Sequence, residues 1–141
     1  MSIWYQQATL KDLNKLSENT LVSHIAIEFT EIGDDYICAI MPVNQTTHQP
    51  DGLLHGGASV VLAETLGSVA SNLCVDRTKK ICVGLDINAN HIRSARKGYV
   101  TGRTKPIHLG ATTHIWEIRI TNEKDSLVCI ARLTMAILNK S

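Results

Sequence analysis

From Leu53 to Val75 the chain reads LLHGGASVVLAETLGSVASNLCV, and Glu64 carries the only formal charge in that stretch. A surface helix of this length normally bears several charges on its outer face. Here glycines and serines hold the polar side, so the pattern predicts a helix enclosed nearly all round. That requirement constrains the fold, because a lone helix is surrounded most simply by a sheet curled about it. Whatever the sheet leaves open needs another cover, most simply a second subunit. A solitary carboxylate in such a place is costly unless it is paired, protonated or employed. Glu64 is therefore the first candidate for chemistry.

The flanking segments supply that sheet. Thr9-Leu10-Lys11-Asp12 caps a short helix with Leu10, Leu13 and Leu16 at helical spacing. Ile25, Ile27 and Phe29 alternate with polar or small residues as in a strand, and Gly33-Asp34-Asp35 turns the chain into a second strand, Tyr36 to Met41. After the long helix come four more strands, at 80–92, 99–108, 112–121 and 127–138. In the first of these Val83, Leu85, Ile87, Ala89 and His91 share one parity and are expected on one apolar face. The last is apolar at both parities and is expected inside the sheet. The order α-β-β-α-β-β-β-β is an α+β pattern: one long helix and an extended antiparallel sheet, in a single domain over residues 1–141.

Composition excludes several classes. Hydrophobic residues make up 44% of the chain and charged ones 19%, which argues against disorder. A net charge of +1 argues against a general binder of nucleic acid or membrane surfaces. The opening MSIWYQQATL lacks the basic and apolar regions of a signal peptide. Cys38, Cys74, Cys82 and Cys129 show no CxxC spacing, so a cytoplasmic protein with reduced, mostly buried thiols is expected. His24, His48, His108 and His114 have no ligand spacing, and no metal site is expected.

On a helical wheel Ala58, Val61, Leu62, Thr65, Leu66, Val69, Ala70 and Leu73 fill one arc. Glu64 points away from it, in line with Gly57, Val60, Gly67, Ser68 and Ser71, with Ser68 one turn along. The competing reading of this face, a solvated surface, should hold more than one charge. At the helix entrance stands His55-Gly56-Gly57. Two glycines there suit a backbone approached closely by something else, and free N–H groups at a helix start favour a negative oxygen. Polarising a carbonyl in this way is the chemistry of an oxyanion hole. The competing reading is that the glycines only permit tight loop packing.

Gln49-Pro50-Asp51-Gly52-Leu53-Leu54-His55-Gly56-Gly57, followed by Glu64 and Ser68, resembles the signature of hotdog-fold acyl-CoA thioesterases. The branch is that of the 4-hydroxybenzoyl-CoA, phenylacetyl-CoA-pathway and 1,4-dihydroxy-2-naphthoyl-CoA thioesterases and the enterobactin-pathway proofreading enzyme. LDINANHIR and HLGATTHIWEI extend the resemblance over nearly the whole chain. It implies a hotdog fold, a central helix wrapped by a curved antiparallel sheet. Glu64 would be the nucleophile or general base, and the Gly56 N–H would hold the thioester oxygen with His55 assisting. Gln49 would position the carbonyl or the water, and Ser68 would bond near Glu64 or the leaving group. His91, Gly57, Arg93 and Ser94 would contact substrate. The resemblance further implies a homodimer with shared sites, Glu64 from one subunit and Gln49 and His55 from the other, assembling into a homotetramer. No cofactor is expected apart from the coenzyme A of substrate and product. Where relatives often carry an arginine after His108-Leu109-Gly110, this chain has Ala111.

Charge distribution bears on the same ligand. Between Ile87 and Trp116 there is no Asp or Glu, while Arg93, Arg96, Lys97, Arg103 and Lys105 fall there. A local basic patch suits a polyanion such as the phosphates of coenzyme A, and solvated turns and strand edges are the plainer explanation. Only Tyr99 interleaves these cations with an aromatic ring, which disfavours nucleic acid. Two other activities fit the pattern less closely: a hotdog dehydratase or hydratase acting on an acyl thioester, and a non-catalytic acyl-CoA-binding protein.

Overall fold

The computed structural model describes all residues from Met1 to Ser141. The Thr9 side chain accepts from the Asp12 N–H and the Asp12 carboxylate accepts from the Thr9 N–H, closing a capping box on α1 (Leu10–Leu16). A short helix, α2 (Leu21–His24), follows in a segment to which the sequence pattern assigned no element. Ile25 and Ile27 are buried as their pattern required, yet the strand β1 begins only at Glu28 (Glu28–Ile32). Burial alone does not make a ladder, and the Ile25 and Ile27 N–H groups bond back to Leu21 and Val22.

The remaining elements are β2 (Ile37–Pro42), α3 (Gly56–Leu73), β3 (Lys80–His91), β4 (Tyr99–Leu109), β5 (Thr113–Thr121) and β6 (Leu127–Asn139). All six strands join one antiparallel sheet in the order β1-β2-β4-β5-β6-β3. The expected interior place of β6 is observed, between β5 and β3. The sheet curls round α3, which packs on β2, β3, β4, β5 and β6. Leu62, Ala63, Leu66 and Ala70 of the helix meet a core built by Met41, Val100, Trp116, Ile118, Ile120, Leu133 and Met135.

Two details depart from the periodicity. First, the buried arc of α3 is Ser59, Leu62, Ala63, Leu66, Gly67, Ala70, Ser71 and Leu73. It is turned about a quarter of a revolution from the apolar arc of the wheel. Gly67 and Ser71 face the sheet instead of sharing the outer face with Glu64, whereas Ala58, Val61, Thr65 and Val69 are only half-buried. The reason is steric and polar together. A side chain on Gly67 would stand 2.5 Å from Leu133 Cδ2. Ser71 is fully buried because Trp116 Nε1 donates to its oxygen at 2.6 Å and His114 Nδ1 lies at 3.0 Å. Trp116 can only donate, so the Ser71 oxygen accepts from it and shares a second hydrogen bond with His114 Nδ1. Burial, helped by nearby His108, holds the His114 pKa below its usual 6.5.

Second, β3 does not alternate from end to end. Its pairing with β6 shifts register between Gly84 and Asp86, a β-bulge. Cys82, Ile87 and Ala89 therefore pack toward the core, while Val83 and Leu85 point away and are 39% and 63% exposed. The expected single face, Val83 through His91, is broken at that extra residue.

Candidate active site

The loop from Val43 to Leu54 and the loop after β3 are stitched together beside the helix entrance. His48 Nε2 lies 2.8 Å from the Arg96 carbonyl, and the Leu54 N–H donates to the Ala95 carbonyl at 2.8 Å. Between them opens a cavity of about 290 Å³ lined by Gln49, Leu53, Leu54, Gly56, Ser59, His91, Ile92, Arg93, Ser94 and Val128. Five of the nine residues marked in the sequence, Gln49, Gly56, His91, Arg93 and Ser94, thus meet around one space.

The entrance of α3 has one donor to spare. His55 caps the helix by accepting the Gly57 N–H on Nδ1 at 2.8 Å, and its carbonyl takes the N–H groups of Ala58 and Ser59. The His55 N–H is held by the Thr47 carbonyl at 2.8 Å. Gly56 holds the remaining first-turn amide, and this residue lines the cavity. Gly57, marked as a substrate contact, has its amide engaged by the His55 ring. That cap also sets His55: with Nδ1 accepting, the neutral ring carries its proton on Nε2, available as a donor.

Gln49 is oriented the same way. Its Oε1 accepts from the Asp51 and Leu53 N–H groups, which turns the amide nitrogen outward as a donor. The His91 ring lies against Gly56, where a side chain would come within 2.8 Å of His91 Nε2. A core histidine on an apolar face is thus not what forms; His91 is exposed and lines the cavity. Arg93 is anchored by Nη1 donating to the Leu127 carbonyl at 2.8 Å.

Glu64 and Ser68 stand apart from this cavity. Glu64 lies eight residues beyond Gly56, roughly 12 Å along the axis at 1.5 Å per residue. The expectation of an enclosed helix fails here within one chain, since Glu64 is exposed. Its carboxylate leans over β3, with Oε2 2.9 Å from where a Gly84 side chain would begin. Ser68, one turn on, is half-buried and its carbonyl accepts from Asn72 Nδ2 at 2.8 Å.

The basic stretch divides in two. Arg93 lines the cavity and Arg96 and Lys97 follow in the same loop beside a neighbouring hollow, whereas on β4 Arg103 stacks 3.8 Å over the Tyr36 ring and Lys105 pairs with Asp35 at 3.7 Å. The single patch of the sequence reading is therefore not one surface, because a strand separates residues that the turn had brought near in sequence. The thiols are inert by environment. Cys38 and Cys129 are buried, and burial pushes Cys74, at the far end of α3, up to about 12, which removes it as a nucleophile.

Sequence reasoning missed Ser59, 1% exposed on the inner face of α3 and part of the cavity wall. The local signal was a hydroxyl one turn after His55. Val128 had no local signal, since β6 delivers it from far along the chain.

A long helix gripped by a six-stranded antiparallel sheet, with a glycine-started entrance at a cavity, defines the hotdog thioesterase fold. The chain belongs to the thioesterase superfamily, whose family profile matches residues 51–129. It is 54% identical over 136 residues to the 1,4-dihydroxy-2-naphthoyl-CoA hydrolase of Escherichia coli, covering 96% of this chain and 99% of that one. It is 48% identical to the proofreading thioesterase EntH of Cronobacter turicensis, covering 96% and 98%. The structure superposes on a crystal structure of a mutant thioesterase from Pseudomonas aeruginosa with a TM-score of 0.97 at 50% identity, covering 99% and 100%. The chain is thus a thioester hydrolase. None of its helices is long and apolar enough to cross a membrane.

Proposed function

We propose that this thioesterase hydrolyses an aromatic acyl-CoA of the 1,4-dihydroxy-2-naphthoyl or hydroxybenzoyl type, in a site shared between two subunits. The observation that carries this reading is the separation within one chain of the oxyanion donor at Gly56 from the carboxylate of Glu64. A reacting carbon must lie about 3–3.5 Å from its nucleophile, so a carbonyl held by Gly56 of one chain is out of reach of that chain's Glu64. A second copy resolves the gap. The outer edge of β3 is unpaired over 12 residues and offers Val83 and Leu85 as exposed apolar contacts. Pairing two β3 edges would bring Glu64 of one subunit toward the cavity of the other and cover the open face of α3.

In that arrangement the Gly56 N–H and the Gln49 amide polarise the thioester carbonyl, with His55 Nε2–H beside them. Each such donor is worth roughly 10²–10³ in rate. The acyl group lies between Leu53, Leu54, Ile92 and Val128. Arg93, Arg96 and Lys97 meet the phosphates of coenzyme A, and Ser68 serves the carboxylate or the leaving thiol. Glu64 either takes a proton from water as its oxygen adds to the carbonyl carbon, or adds first to form an anhydride that water then opens. In both routes the C–S bond breaks and coenzyme A leaves as its thiol. The relatives named above as a naphthoyl-CoA hydrolase and a proofreading thioesterase support the substrate class.

The test is thiol release from benzoyl-type, 1,4-dihydroxy-2-naphthoyl, short-chain and long-chain CoA esters, by the wild type and Glu64→Ala. The aromatic esters should be turned over fastest. The variant should lose at least about 10²-fold in rate while still binding coenzyme A. Full activity in Glu64→Ala would overturn the role of Glu64, and a preference for long-chain esters would overturn the substrate class.

A further inference from the structure

The Glu64 carboxylate rests on a feature of β3 that the proposed mechanism does not use. The bulge between Gly84 and Asp86 turns Gly84 toward α3, opposite Met135 of β6. A side chain starting at Gly84 would lie 2.9 Å from Glu64 Oε2 and 3.9 Å from both Glu64 Cδ and Met135 Sδ. The carboxylate oxygen thus occupies the hollow left by the missing Cβ. Glycine in a strand interior weakens the strand and marks a place where something approaches closely. Here the approaching group is the carboxylate, and the two flanking devices act together. The bulge aims position 84 at the helix, and the absence of a side chain leaves room for the oxygen.

We infer that Gly84 is a positioning residue for Glu64: the bulged strand and its empty Cβ position define where the carboxylate stands when it meets substrate. This rests on the proposed role of Glu64. The physical consequence is specific. The contact made by a new methyl group is with the free end of a flexible side chain, while Met135 Sδ stays at ordinary van der Waals distance. Gly84→Ala therefore leaves the fold in place and moves the carboxylate. Displacements of about 1 Å at a reacting group can cost as much as 10²-fold in rate.

The experiment compares wild type, Gly84→Ala, Glu64→Asp and the double variant in steady-state thiol release, with Tm and elution volume measured alongside. The expected result is a fall of about 10- to 100-fold in kcat for Gly84→Ala, with KM within about twofold. Tm and oligomeric state should be unchanged. In the Glu64→Asp background, where the carboxylate is withdrawn by one methylene, adding Gly84→Ala should cost markedly less than in wild type. Four results would overturn the inference: wild-type kcat in Gly84→Ala, an equal loss in both backgrounds, a loss confined to KM, or a lowered Tm or altered oligomeric state. The last would place the clash on the strand instead of the carboxylate. If Glu64→Ala keeps full activity, the reading of Glu64 fails and this inference goes with it. If Glu64→Ala is dead and Gly84→Ala is fully active, only the positioning role is lost.

Discussion

Replacing Ser71 by Ala removes one oxygen and leaves two partners stranded. Trp116 is fully buried, Ser71 is fully buried and His114 is 4% exposed, so water has little access to what remains. The Trp116 indole N–H loses its acceptor at 2.6 Å and His114 Nδ1 loses its partner at 3.0 Å. A buried polar group left without a partner costs about 1–3 kcal/mol. Trp116 should bear the full cost. His114 borders a second cavity of about 470 Å³, where the ring can relax, and should bear less. The sum is about 2–4 kcal/mol, a fall in Tm of roughly 10 °C for a chain of this size. Urea denaturation at fixed protomer concentration measures it, because association would otherwise shift the midpoint. Trp116→Phe in the Ser71→Ala background removes the stranded donor. The double variant should therefore be more stable than the sum of the single effects by about 1–2 kcal/mol. A Ser71→Ala cost below about 0.5 kcal/mol, or strict additivity in the cycle, would refute the hydrogen-bond account of why this serine is buried.

Two further outcomes are expected besides those for Glu64 and Gly84. In Gly56→Ala the backbone donor survives, but the new Cβ would stand 2.8 Å from His91 Nε2, so the ring must retreat by more than half an ångström. Activity should fall by about 10-fold, and adding Gly56→Ala to His91→Ala should cost nothing more; a full loss in that background would point to the helix start instead. His114, whose pKa is lowered on folding, gives stability that is complete above 6.5 and is lost as pH falls toward its folded pKa, because the unfolded state takes up the proton first. Urea titrations between pH 7.5 and 5 should show that His114→Phe flattens part of this acid slope, and an unchanged slope would contradict it.

Much of the site could be read in advance because its residues lie in one short run. Gln49, His55 and Gly56 are held by a loop and a helix start whose bonds are local: His55 to Gly57, Gln49 to Asp51 and Leu53. Local chemistry of this kind is written in spacing. His91 was harder to place, since its parity suggested an apolar face. It keeps the parity of Ile87 and Ala89, but it stands at the end of β3, beyond the core and against Gly56, where the cavity opens. Ser59 and Val128 were missed because the cavity wall is assembled from separate elements.

The pattern of glycine, serine and a single carboxylate between Leu53 and Val75 determined that a helix would form there and that a sheet must grip it. Strand order, the rotation of α3 and the break in β3 were decided by tertiary contacts. A helical wheel ranks side chains by polarity, whereas the sheet selects them by size and by the partners it offers. Trp116 and His114 made a buried place for Ser71, and Leu133 made one for Gly67. The same turn of the helix left Glu64 outside the core, lying over the hollow at Gly84.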